Sequence, residues 1–480
     1  MKMLEEKRNN NHRNDGEIVS LDMLVPRFHL LRKIDKAIDW KKIYPIVESK
    51  YSKIGRPSVD PVVLVKMVML QHLYGIRSLR QTVAEIEVNV AYCWFIGYSL
   101  TEKIPHFSTV SYNFLHRFDS DMFEQIFTIV LNEGIDSGYV KPNVIFVDAT
   151  HIKANANKKK QMKVHVPKAV KIYEEQLHKE IDEDRDDHDK KPLKDKEEKE
   201  ELVEKTVSTT DPESGLFCKG EHERCFAYAA QTACDKNNFV LDVNVVAGNI
   251  HDSVSFDSLY DKVTGRFPQI ETVVADAAYK TPWICKRIID DGRIPSMPYK
   301  RPMTKEGFFK KYEYVYDEYY DCFICPNNKI LRYSTTNRDG NREYKSNPHE
   351  CANCPMREQC THSREMQKIV TRHIWEEYIE KTEDIRHSKL GAETYKLRSR
   401  TIERVFADAK EKHAMRYTPY RGLNQVANWV RLKFAAMNLK KIAMWKFKDE
   451  NPHRKTTVFS FFHSLFFKIA PISTQKPCFA

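Results

Sequence analysis

Glycine is scarce here, 15 residues among 480, which excludes a fibrous or glycine-rich low-complexity chain. Long apolar runs are missing as well. The longest, Pro61 to Leu73, is interrupted by Lys66 and falls short of the roughly 20 residues a membrane-spanning helix needs. With a charged, Asn-rich start from Met1 to Asp15, the sequence predicts neither a signal peptide nor a membrane span. Cysteine is thinly spread, eleven residues in all, and five of them fall between Cys322 and Cys360. That distribution argues against a disulfide framework and for a reducing, cytoplasmic setting with one metal site. What the chain does hold is core material: 41% hydrophobic and 11% aromatic residues in 56.5 kDa, enough for two or three ordinary domains.

Charge is uneven. Lys and Arg number 78 against 67 Asp and Glu, a net +11. The segment Tyr395 to Lys455 alone holds sixteen basic and five acidic residues, so it accounts for the whole excess and predicts a polyanionic partner.

Residues 1–135 read as an all-helical domain. Asp60-Pro61 supplies an N-cap and a first-turn proline for an apolar helix ending near Gly75, Ser78 with Gln81 opens a second from Ser78 to Val90, and Ser108 caps a third through Phe118. A helix-turn-helix DNA-binding domain and a plain helical bundle both fit. From about residue 140 to 450 the period changes to α/β. Val144 to Asp148 and Thr272 to Asp276 are short apolar strands ending in carboxylates, a hairpin runs from about Cys225 to Val246, and helices are expected over Ser253–Val263 and Pro282–Asp291. Two insertions interrupt the pattern. Residues 158–206 are charge-dense with a weak stripe at Val170, Tyr173, Leu177 and Ile181, expected as a solvated helical arm; residues 308–375 carry the cysteines. Residues 451–480 form a tail, whose Phe459 to Phe467 stretch is apolar.

Asp148 and Asp276 would project where an open α/β sheet presents its ligand-binding side chains. Two Mg²⁺ ions roughly 3.5 to 4 Å apart need a further acid. Glu403 is the candidate, since Ile402, Val405, Phe406 and Ala409 give its helix an apolar face to pack on the sheet. A strand-terminal aspartate can equally be a turn former or a cap.

The ordered motifs FVDATHIKANAN (Phe146 to Asn157), VVAGNIHDS (Val245 to Ser253), VVADAAYKT (Val273 to Thr281) and TIERVFADAKEKHAMRYTPYRGL (Thr401 to Leu423) resemble those of bacterial insertion-sequence transposases of the DDE superfamily. The segment from Gly55-Arg56-Pro57 to Phe118 resembles their N-terminal domain. The resemblance implies a ribonuclease-H-like mixed sheet flanked by helices, with Asp148, Asp276 and Glu403 as an acidic triad holding two Mg²⁺ or Mn²⁺ ions. Lys410 keeps the family's Glu-x6-Lys spacing and would contact DNA phosphate. Arg404, Lys412, Arg416 and Arg421 extend that basic surface. Many members have Tyr, two residues, Arg, three residues, then Glu; here Tyr395 and Arg398 stand one position too far from Glu403, leaving Arg398 or Arg400 for the arginine. His251 and Asp252 match a GN-x-HD motif and are read as support behind the metal ligands, or as polar turn residues.

Cys322-x2-Cys325 and Cys351-x2-Cys354-x5-Cys360 form a zinc-ligand pattern, with His349 and His362 nearby. Similar transposases carry Cys325, Cys351, Cys354 and Cys360, the expected Zn²⁺ set; buried reduced cysteines are the alternative. The expected activity is metal-dependent strand cleavage and strand transfer on double-stranded DNA, at element ends and target, by a homodimer on the nucleoid. A decayed copy acting as a DNA-binding protein, or a nuclease without strand transfer, are the rival readings.

Overall fold

The computed structural model describes residues 18–52, 54, 58–167, 173–194, 202–219, 223–301 and 303–452. Gly55-Arg56-Pro57, Val170 and Phe459 to Phe467 lie outside the described residues. The chain divides into two compact units, residues 1–134 with 435–480, and residues 135–434. No helix among the described residues is long and apolar enough to cross a membrane.

The first unit is helical. Asp60 caps the helix Pro61–Leu73, its Oδ1 accepting the Val62 N–H at 2.8 Å, and proline stands where its missing donor costs nothing. Apolar side chains surround this helix on all sides, so nearly all of it is buried and it forms a core rather than one wall. Lys66 is tolerated there because its ammonium reaches Asp35 Oδ1 at 2.7 Å and the Phe95 carbonyl at 3.0 Å. Ser78 caps Leu79–Val88 through the Gln81 N–H at 3.1 Å, as its motif predicts. The next cap differs from expectation. His106 rather than Ser108 caps Phe107–Tyr112, because its Nδ1 lies two residues upstream and accepts the Ser108 N–H at 3.3 Å. The expected run to Phe118 is completed by a π-helical turn, Asn113–Arg117.

The second unit holds thirteen described strands: β1 Val144–Lys153, β2 Gln161–Pro167, β3 Leu202–Ser208, β4 Gly215–Lys219, β5 Glu223–Asp235, β6 Val240–Ala247, β7 Thr272–Val274, β8 Ile294–Ser296, β9 Val315–Asp317, β10 Cys322–Ile324, β11 Ile330–Thr336, β12 Asn341–Lys345 and β13 Ile369–His373. A central mixed sheet runs β4-β5-β1-β7-β8, with β6 sharing the outer edge of β5. β1, β7 and β8 are parallel, as their continuous apolar cores suggest, and β4, β5 and β6 are antiparallel. Helices Phe256–Arg266 and Pro282–Asp290 occupy the connections between β6, β7 and β8, locked by Trp283 Nε1 donating to the Asp257 carboxylate at 3.0 Å. The first begins three residues later than its sequence suggests, because His251 to Val254 close a turn, the Val254 N–H bonding the His251 carbonyl at 2.9 Å. This is the mixed α/β architecture expected.

β1 does not end at Asp148, as the apolar run implies. Its parallel pairing with β7 stops at Phe146↔Val274, while its antiparallel pairing with β5 continues to Lys153↔Ala227. Asp148 therefore stands just past the fork between two neighbours.

The segment expected as a solvated arm is docked. Its helix, Glu174–Asp187, buries Leu177, Ile181 and Asp184, and Asp184 accepts hydrogen bonds from Thr336 Oγ1 and Arg342 Nε at 2.5 and 2.6 Å. Buried carboxylates need such partners, and the partners belong to the second sheet. Flanking it, β2 and β3 pair as a ribbon that sequence reading missed. The second sheet, β13-β12-β11-β10-β9, is wholly antiparallel around Tyr314, Phe323, Leu331, Tyr344 and Val370.

Beyond it, the helix Lys389–Lys396 lies close to β8: Ser296 Oγ donates to the Gly391 carbonyl at 3.3 Å, and a Cβ at Gly391 would sit 2.0 Å from the Ile385 carbonyl oxygen.

Candidate active site

Asp148 and Asp276 each follow the last β1–β7 pair by two residues, Asp148 within β1 and Asp276 just past the end of β7, where its Oδ1 accepts the Ala278 N–H at 2.9 Å. Asp148 is largely buried; its Oδ1 accepts the Ala149 N–H at 2.9 Å and its Oδ2 accepts Arg398 Nη2 at 2.5 Å. Nη1 of the same guanidinium donates to Glu403 Oε1 at 2.8 Å. One cation thus joins two of the three expected acids. Arg398, not Arg400, takes this place: the extra residue before Glu403 is absorbed by a 3₁₀ turn, Leu397–Arg400, and a sharp break at Thr401 (φ −111°, ψ −100°) ahead of the helix Ile402–Lys412.

Burial drives the Asp148 carboxyl up to about 6; Arg398 opposes that rise, and Asp276 and Asp252 add to it by like-charge repulsion. Asp252 is raised by burial and by Asp276. Tyr395 is raised by burial and feels Arg398, Asp276, Glu403 and Asp148. The carboxylates sequence reasoning named, with Asp252 beside them, therefore share one electrostatic neighbourhood. Two residues it missed are there too. Gln231 on β5 is fully buried, donates to the Asp252 carbonyl at 2.5 Å and to Tyr279 Oη at 3.3 Å, and its Oε1 has no partner among the described residues. Its one visible sign was a polar pair, Gln231-Thr232, inside an otherwise apolar strand. His251 instead faces solvent and bonds Ser253 Oγ at 2.8 Å.

Among the described residues no three His, Cys, Asp or Glu side chains converge closely enough to hold a metal ion. The donor chemistry nevertheless fits a hard divalent cation, since the group is made of carboxylates whose burial calls for positive charge. Glu403 is drawn to Arg398, and a guanidinium between two carboxylates keeps their oxygens apart.

Farther along the same helix, Lys410 lines a polar cavity of about 360 Å³ with His151, Lys153, Phe217, Arg416 and Tyr417. Arg404 and Lys412 both pair with Asp408, at 3.4 and 2.8 Å, Arg416 pairs with Glu411, and Arg421 Nε donates to the Asn155 carbonyl at 2.9 Å.

Cys325, Cys351, Cys354 and Cys360 are all half-buried and gather at one end of the second sheet. Burial raises the Cys360 thiol, with Cys351 and Cys325 near enough to contribute; Cys325 Sγ accepts the Lys329 N–H at 3.3 Å and Cys354 Sγ accepts Asn327 Nδ2 at 3.5 Å. Cys322 is buried on β10, its thiol raised by burial and by Asp317 and Asp321. His362 Nε2 lies 3.1 Å from the Glu358 carbonyl.

A helical unit and a mixed sheet bearing neighbouring carboxylates are compatible with many functions, and comparison with known families narrows them. A model described as "Transposase domain (DUF772)" matches residues 19–116, and one described as "Transposase DDE domain" matches residues 324–443. The two matches, one N-terminal and one C-terminal, support a DNA transposase of the DDE insertion-sequence type. The second match includes Glu403, Cys325, Cys351, Cys354 and Cys360 but not Cys322, Asp148 or Asp276. No curated protein matches the chain. A solved structure of the piggyBac transposase synaptic complex with hairpin DNA aligns over 94% of this chain and 86% of its own at 7% identity, with a TM-score of 0.25, too low to bear on fold or mechanism.

Proposed function

We propose that this transposase cuts and joins double-stranded DNA at a site formed by Asp148, Asp276 and Glu403 on a ribonuclease-H-like sheet. The observation that carries the reading is the placement of Asp148 and Asp276 one two-residue step beyond the last pair of the parallel strands β1 and β7, with Glu403 tied to Asp148 through Arg398. The three acids would hold two Mg²⁺ or Mn²⁺ ions. When bound, these ions lower the pKa of an attacking water or 3′-hydroxyl and stabilise the leaving oxygen of an in-line displacement at phosphorus. Asp252 adds negative charge behind the ligands, while Gln231, itself bonded to Tyr279 Oη, holds the Asp252 carbonyl. Lys410, seven residues and about two helical turns after Glu403, presents an ammonium to the strand being cut. Arg404, Lys412, Arg416 and Arg421 exchange exposed internal partners for phosphates.

Residues 1–135 would supply further DNA contacts, residues 140–450 the chemistry, and the cysteine set a structural Zn²⁺ suited to thiolates. A homodimer on DNA would bring two element ends together in the cytoplasm, on the nucleoid. Incubating the full chain and Mg²⁺ with DNA from the flanks of its own gene should give strand breaks at the element ends and joined products; breaks without joining would favour a nuclease.

A further inference from the structure

We propose that Arg398 is a built-in counter-cation that occupies the carboxylate cluster in the metal-free protein and is displaced when a divalent ion binds. This rests on the reading of that cluster as a metal site. The guanidinium reaches both acids at once, Asp148 Oδ2 at 2.5 Å and Glu403 Oε1 at 2.8 Å, and its side chain is only 13% exposed. A divalent ion would need those same two carboxylates. Two cations cannot share the same carboxylate oxygens, and around the largely buried Asp148 the repulsion between them is less screened than in open water.

The placement is also provisional. Nε of Arg398 is buried and has no hydrogen-bond partner among the described residues, so the docked guanidinium leaves one donor unused. By contrast, Arg342, also paired with a buried aspartate, lends Nε itself to Asp184 at 2.6 Å. Only the side chain has to move: Thr401 holds the Leu397 and Arg398 carbonyls by hydrogen bonds, while no residue of the 3₁₀ turn Leu397–Arg400 is buried. Arg398 can therefore swing away without unpacking the core. In the absence of metal it neutralises acids that would otherwise repel one another.

Mn²⁺ binding to the full chain without DNA, measured by titration calorimetry, tests the displacement apart from catalysis. Removing the competitor in Arg398→Gln should tighten Mn²⁺ binding at least about tenfold, by relieving the occupancy penalty on the competent state. It should also lower the metal-free melting temperature and enlarge the rise that Mn²⁺ produces. Arg398→Lys, which keeps the charge but cannot fork between two carboxylates, should fall between the two proteins and covers the case of an unstable Gln variant. Asp148→Asn should abolish the binding. Unchanged or weaker Mn²⁺ affinity in both Arg398 variants, with the Asp148 dependence intact, overturns the displacement alone. Binding that Asp148→Asn leaves untouched overturns the metal reading, and the displacement with it.

Discussion

The helix Ile402–Lys412 treats its charges in two ways. At its first turn Glu403 is bound through Arg398 to Asp148, a partner 250 residues from Arg398 in sequence, on a different element and largely buried. Beyond it, Arg404 and Lys412 share an i,i+4 helix neighbour, the half-buried Asp408, and Glu411 pairs with Arg416 past the helix end, the three cations being exposed. Exposed i,i+4 pairs are worth only about 0.3–0.5 kcal/mol and weaken with salt. The first set is committed by the fold, and the second is free to change partners. One helix of eleven residues thus carries both kinds of charge.

The sharpest way to break this division is to remove charge from the committed set. Asp148→Asn, Asp276→Asn and Glu403→Gln should each lose nearly all strand cleavage while keeping DNA binding in a mobility-shift assay, because volume is preserved and ligand charge is not. Cleavage by Glu403→Gln would transfer the third role to Asp408 or Glu411.

The half-buried thiols are a second committed set. The purified protein should contain close to one zinc per chain by elemental analysis under reducing conditions, and Cys354→Ser should lower zinc content and melting temperature more than it alters chemistry. A metal-free protein would leave the four cysteines as packing.

Lys433 tests burial of a cation that has a carbonyl rather than a carboxylate for company. It is 2% exposed, donates to the His413 carbonyl, stands 4.4 Å from the Trp429 ring centre, and burial pushes its ammonium down to about 7. The unfolded chain holds that proton up to about 10.4, so between these values the unfolded state binds more protons and stability rises with pH. Lys433→Met should raise the melting temperature, by more at pH 7 than at pH 9. An equal gain at both values would mean that the amine is charged in the folded protein.

The smallest effect belongs to the exchangeable set. Replacing Lys412, Arg416 and Arg421 together with Ala should weaken binding to related and unrelated DNA alike and reduce the salt slope by about 0.9 for each lost phosphate contact. An unchanged slope would move the DNA path off this helix.

The apolar strands around Asp148 and Asp276, the Asp60-Pro61 cap and the apolar face beneath Glu403 were legible because each is written in neighbouring residues. Arg398 was not, since choosing it over Arg400 depends on how one extra residue is absorbed, and a 3₁₀ turn leaves no mark in composition. Gln231 was hidden for another reason: its partners, the Asp252 carbonyl and Tyr279, come from distant segments. The docked helix Glu174–Asp187 looked soluble because its faces are charged. Asp184 is buried only by virtue of Thr336 and Arg342, more than 150 residues away.

Gly391 sets a tolerance on the whole arrangement. The seven residues from it to Arg398 run as one helix and one 3₁₀ turn, so a displacement at the glycine is carried along the axis like play in a lever. With the Ile385 carbonyl 2.0 Å from where a methyl carbon would be, even alanine has to push main chain aside, and main chain yields less readily than a side chain. The reach of a guanidinium at the heart of the enzyme is thereby calibrated by a missing carbon two helical turns upstream.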